Sequence, residues 1–140
     1  MEFKNIDEFN PRECISGRVN RLNRLTANVF RKHLSPFEIT DSQLSLLFIL
    51  SKKEKCNQKE LTKITQLEKS TLNRNLKRLI DKDYITKQEF PLLQLTHSGK
   101  IFVENIIPEW QKAMIEIKEL ISEEGITGIN TALENISENK

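Results

Sequence analysis

The stretch LEKSTLNRNLKRLIDKDYI, Leu67 to Ile85, decides how the chain is read. Leu72, Leu76, Leu79 and Ile80 recur at i, i+4, i+7 and i+8, the spacing that gathers side chains on one face of a helix. At about 100° per residue the opposite face holds Ser70, Thr71, Arg74, Lys77 and Arg78, with Asn73 flanking it. The helix is expected to begin near Lys69 or Ser70 and to end near Asp81. A basic amphipathic helix by itself is more often a solvated face than a binding surface, so its neighbours decide.

Upstream, Asn57 with Glu60 three residues later has the form of a capping box and starts a short helix through Leu61 and Ile64. TQLEK then turns into the quoted helix. Before that, Thr40 or Asp41 caps a helix carrying Leu44, Leu47, Phe48 and Leu50, apolar nearly all round and therefore expected to be buried. Pro36 breaks it from a long first helix, which Asn10 and Pro11 start as N-cap and first helical residue. Ile15, Val19, Leu22, Leu25/Thr26 and Val29/Phe30 form its stripe, which runs to about Leu34. Downstream the period changes. YITKQE and LLQL read as two short strands around Phe90-Pro91, a small hairpin. Thr96 then caps a long helix with Phe102, Ile106, Trp110, Ala113/Met114, Ile117 and Leu120/Ile121 on one stripe. Pro108 is expected to kink it, and Gly125 and Gly128 to punctuate it before a last segment from about Thr127 to Ile136.

The expected fold is mainly α with a small β-hairpin, a winged helix-turn-helix between N- and C-terminal dimerisation helices. Residues 1–140 read as a single domain, with a DNA-binding lobe over 36–96 and dimerisation helices over 10–34 and 97–138. The length suits one core, and four glycines and four prolines favour helices over a turn-rich β architecture. Charge is uneven. Residues 1–51 hold 7 basic and 6 acidic side chains, 52–100 hold 12 and 6, and 101–140 hold 3 and 8. The basic middle implies an anionic partner, of which nucleic acid is the commonest. Arg and Asn on the polar face suit guanine and adenine edges, and Ser, Thr and Lys suit phosphates.

ITDSQLSLLFIL, NQKELTKITQLEKSTLNRNLKRLIDKDYI and LQLTHSGK resemble three successive signatures of the MarR family of bacterial winged-helix transcription regulators, over roughly Ile39 to Lys100. CISGRVNRLNRLTANVFRKHLSPFEIT also resembles the first helix of one branch of that family. The resemblance implies a homodimer on double-stranded DNA at a pseudo-palindromic operator, a ligand- or stress-responsive repressor released by a small aromatic ligand or thiol oxidation. Ser70, Thr71, Asn73 and Arg74 match the contacting start of the family's recognition helix, and Gln58 the polar start of the preceding one. Lys69, Lys77, Arg78 and Lys87 complete the expected DNA-binding set. Thr96 and Gly99 match a structural L-T-x-x-G. Family wings carry an Arg tip for the minor groove, whereas TKQEFPLLQ is short and has no arginine, so the recognition helix is expected to carry most of the specificity.

Phe30, Phe48 and Trp110 are the candidates for an aromatic-ligand cleft. Cys14 is the candidate redox thiol, weighed against a structural role, since Tyr84 is the only tyrosine. Cys14 and Cys56 have no C-x-x-C spacing, and His33 and His97 no metal-ligand spacing, so neither metal nor cofactor is expected. No Walker, G-x-G-x-x-G, G-x-S-x-G or paired-carboxylate pattern occurs, which argues against an enzyme. No apolar run is long enough for a membrane span and the acidic N-terminus is unlike a signal peptide, so a cytoplasmic place is expected. The alternative reading is a winged-helix module that binds protein without specific DNA binding.

Overall fold

A computed structural model of the protein describes residues 2–138. A short helix, α1 (Lys4–Glu8), comes first, with no counterpart in the periodicity. Asn10 then caps as expected, its side-chain oxygen accepting from the Arg12 amide at 3.0 Å, but only a 3-10 turn follows, Pro11–Glu13. The long first helix therefore does not start at Pro11. Cys14 is extended (φ −69°, ψ 101°), and its sulfur accepts from the Gly17 amide at 3.3 Å, capping α2 (Ile15–Leu34) afresh.

After a 3-10 turn at Ser35–Phe37, α3 (Asp41–Lys53) and α4 (Gln58–Thr65) each open with a complete capping box, Thr40 with Gln43 and Asn57 with Glu60. Gln66 in the left-handed region turns the chain into α5 (Lys69–Asp81), whose bounds fall where the sequence puts them. Leu72, Leu76 and Leu79 of α5 join Leu44, Leu46, Leu47 and Leu50 of α3 and Leu61 of α4 in one buried cluster. Each such leucine contributes about 1.5–3 kcal/mol by leaving water.

The wing is smaller than the sequence suggests. Only Ile85–Thr86 (β1) and Gln94–Leu95 (β2) pair, antiparallel, with Ile85 opposite Leu95 and Thr86 opposite Gln94. Lys87 to Leu93 form a tight tip instead of extending the ladder, since the amides of Phe90 and Leu92 bond back to the carbonyls of Lys87 and Glu89. A third chain segment joins it: Cys56 and Leu93 exchange both backbone bonds, at 3.0 and 2.8 Å.

Thr96 caps α6 (His97–Glu138), its hydroxyl accepting from the Gly99 amide at 2.9 Å. α6 runs on through Pro108. Its break lies at Ser122 (φ 74°, ψ 165°), ahead of both glycines, and Ser122 Oγ accepts from the Gly125 amide at 3.4 Å to restart the helix. α2 lies along α6, where Glu116 meets Lys32 Nζ at 2.8 Å and His33 Nε2 at 3.1 Å. Hydrogen bonds from Lys32 and then His33 hold the Glu116 carboxyl below its ordinary value. Toward their far ends the two stripes emerge into solvent, Ile15 at 73% and Leu120 at 70% exposure.

Wing, α5 and α6 meet at one peptide. The Tyr84 amide donates to Leu79 O, its carbonyl accepts from Thr96 N at 3.0 Å, and the Thr96 hydroxyl donates to Asp83 O. Gly99 packs on that carbonyl so closely that a Cβ there would sit 2.2 Å from Tyr84 O. Backbone on both sides leaves nothing flexible to move. Gly99→Ala is expected to cost roughly 2–3 kcal/mol and to lower the thermal midpoint by roughly 5–12 °C; a midpoint unchanged by circular dichroism would refute the fit.

Candidate nucleic-acid interface

Burial of Leu72, Leu76 and Leu79 fixes which side of α5 faces outward. Lys69, Ser70, Asn73, Arg74, Lys77 and Arg78 are all exposed, and Thr71 is half-buried at the edge. Arg74 Nη2 donates to Thr71 Oγ1 at 3.3 Å, and Lys77 Nζ pairs with Asp81 at 3.2 Å one turn on. That second pair is exposed on both sides and adds little stability. Glu68, the cap residue, sets no side-chain oxygen on the first-turn amides of α5. Those N–H groups suit an anion at the helix N-terminus.

Gln58 is the first residue of α4, half-buried and fixed by the Asn57 cap. Gln58, Asn73, Lys77 and Lys87 line one cleft of about 470 Å³ between α4, α5 and the wing, with Leu76, Ile80, Asp81, Phe90 and Leu93. Four expected contact residues from three elements thus converge. Lys69, Ser70 and Arg78 lie outside that lining, on the exposed surface of the same helix.

The sequence reading missed Asn75. It falls three residues after Leu72 and four before Leu79, on the buried stripe, and its side-chain oxygen accepts from Gln43 Nε2 at 3.5 Å. Gln43 in turn accepts from the Thr40 amide within the α3 capping box. A polar pair inside a leucine cluster costs free energy when unmatched, so it fixes the rotation of α5 about its own axis. The signal was available, as the one polar residue on an otherwise leucine face. The Cys56–Leu93 bridge left no such trace.

The three aromatic candidates belong to one region of the core, with Phe48 and Trp110 packed against the cluster that holds Phe30. Phe48 and Trp110 meet edge to face, with ring centroids 5.1 Å apart, while Phe30 is buried in the core cluster. Phe48 lines a groove of about 420 Å³ with Asp41, Ser42, Ser45, Ile49 and Ile64, where burial pushes the Asp41 carboxyl up. Cys14 is exposed, its thiol pushed below the ordinary range by a hydrogen bond with Ser16 and by the Gly17 amide. Cys56 is buried, and burial followed by the Glu60 carboxylate pushes its thiol up. Among the described residues no three His, Cys, Asp or Glu side chains gather as a metal site. No described helix is long and apolar enough to cross a membrane.

The MarR family model matches residues 37–92, which span α3 to the wing. No curated protein matches the chain. Among solved structures, BpsR of Bordetella bronchiseptica, described for regulation of its DNA binding by 6-hydroxynicotinic acid, is 17% identical, with 93% of this chain and 98% of that one covered and a TM-score of 0.82. A mutant MarR from E. coli complexed with operator DNA is 20% identical over 92% and 97%, with a TM-score of 0.77. AbsC, a MarR family transcriptional regulator from Streptomyces coelicolor, is 22% identical over 94% and 95%, with a TM-score of 0.75. At these identities the structural likeness speaks for the fold alone, and the family match covers the segment from α3 through α5 to the wing tip. Residues 37–92 of this chain thus match the MarR family model, and the chain as a whole shares the fold of the MarR family regulator AbsC.

Proposed function

We propose that the protein is a DNA-binding transcription regulator that works as a homodimer and represses by occupying a pseudo-palindromic operator. The observation that carries this reading is the outward face of α5. Ser70, Asn73, Arg74, Lys77 and Arg78 stand exposed together in a lobe that matches the MarR family. Arg74 and Asn73 have the donors to read base edges in the major groove, while Lys69, Ser70, Thr71, Lys77, Arg78, Gln58 and Lys87 hold phosphates and set the register. The likeness to a MarR solved with operator DNA supports the same use of α5.

Exposed apolar stripes at the start of α2 and just before the break in α6 support a dimer. Ile15, Val19, Leu22 and Leu25 on one helix and Leu120 on the other lack cover in a single chain. Leu22, Leu25, Ile117, Leu120 and Ile121 also border a groove of about 410 Å³ between the two helices. A two-fold pair covers both stripes at once and sets two recognition helices ~34 Å apart, one turn of duplex. Charge agrees, with Arg12, Arg18, Arg21 and Arg24 near the head of α2 and Glu119, Glu123 and Glu124 near the break in α6.

Arg74→Ala is expected to cost roughly 1–3 kcal/mol of operator affinity and to relax preference at one base position, while Lys77→Ala weakens all duplexes alike. Anisotropy titrations over a salt series check this, since each phosphate contact contributes about −0.9 to the slope of log K against log salt; a flat salt response would favour a protein-binding module. Light scattering should give twice the chain mass at micromolar concentration, and Leu22→Glu with Leu25→Glu should halve it. A wild-type monomer would sink the dimer. Cys14→Ser, which keeps an acceptor at the cap, should leave DNA affinity unchanged, and so should peroxide treatment of the wild type; peroxide release of DNA would instead make Cys14 a sensor.

A further inference from the structure

The wing tip ends in Phe90 and Pro91, and Phe90 is 71% exposed. Of the aromatic side chains between residues 36 and 96, Phe37, Phe48 and Tyr84 are half-buried and Phe90 alone is exposed. The ring is held there by an ordered turn. Its own amide donates to Lys87 O at 2.9 Å, the Leu92 amide donates to Glu89 O at 3.0 Å, and Lys55 Nζ pairs with Glu89 at 2.6 Å. Leu93 is fixed by both backbone bonds to Cys56. Phe90 borders the same cleft as Gln58, Asn73, Lys77 and Lys87.

A duplex offers two kinds of surface to a wing at that position. Phosphates call for cations, and Lys77 and Lys87 line the same cleft as Phe90. Deoxyribose edges are apolar, and an aliphatic or aromatic side chain packs on them without displacing a counterion. The Phe90–Pro91 tip carries no donor beyond its backbone, and Pro91 has not even that. We propose that Phe90, backed by Pro91, adds an apolar wing contact with DNA by packing on the deoxyribose edge beside the groove that α5 enters, next to the phosphate contact of Lys87. The inference rests on the DNA-binding reading above and adds a contact that charge alone does not reveal.

The two separate in one experiment. Wild-type protein first enriches a duplex from a random-sequence pool, and that duplex is titrated by anisotropy over a salt series with each variant. Phe90→Ala is expected to weaken binding about tenfold, the worth of roughly half the burial of a phenylalanine ring, with the salt slope unchanged. Phe90→Leu should keep most of the affinity, and Phe90→Arg should steepen the slope by about 0.9. Because the ring is exposed, thermal midpoints should be the same for all three. Wild-type affinity in Phe90→Ala, alongside a loss in Arg74→Ala, overturns the wing contact and leaves the DNA reading standing. A shallower slope in Phe90→Ala overturns it too, since the tip would then act through charge. Failure of the wild type to enrich any duplex overturns both, and leaves Phe90 as part of a protein-docking face.

Discussion

The peptide of Tyr84 is the joint on which the lobe turns. Its amide closes the end of α5, its carbonyl receives the first residue before α6, and Gly99 lies against that carbonyl with no room for a methyl group. The Tyr84 ring stacks on Phe102, one turn into α6, with centroids 4.4 Å apart, and Phe102 meets Phe37 edge to face. α5, the wing root and α6 are therefore set by one short run of backbone, and the leucine cluster beneath fills the space that this joint defines.

Much of that was legible beforehand, and the reasons are local. Thr40, Asn57 and Thr96 each carry an acceptor three residues ahead of an amide that needs one, so three helix starts could be placed from side-chain chemistry alone. The bounds of α5 followed from a stripe of leucines in step with 3.6 residues per turn. Other boundaries depended on contacts between distant segments or on competing local bonds. Asn10 and Pro11 do initiate a turn, yet the extended backbone of Cys14 ends it, and an unremarkable cysteine serves as the next cap. Pro108 carried the stronger warning than Ser122, but α6 runs past the proline and breaks at a serine whose own hydroxyl restarts the helix.

The interface was half legible. Amphipathic geometry selected the outward residues of α5 because burial of the leucines leaves them no other place. It could not show that Gln58, Asn73, Lys77 and Lys87 would border one cleft, because that depends on how α4 and the wing pack across α5. Periodicity did set Asn75, which looks inward to Gln43, on the leucine stripe and Asn73, two positions earlier and exposed, off it. The same amide chemistry serves orientation at one position and is left free for recognition at the other.

The backbone bridge between Cys56 and Leu93 gives the lobe a particular mechanical character. By fastening the wing to the residue just before the Asn57 cap, it makes α4, α5 and wing a single stiff plate. A plate of this kind has few internal ways to switch off. In the proposed two-fold pair the adjustable quantity is then the span and tilt between two plates, set by α2 and by α6 on either side of its break at Ser122.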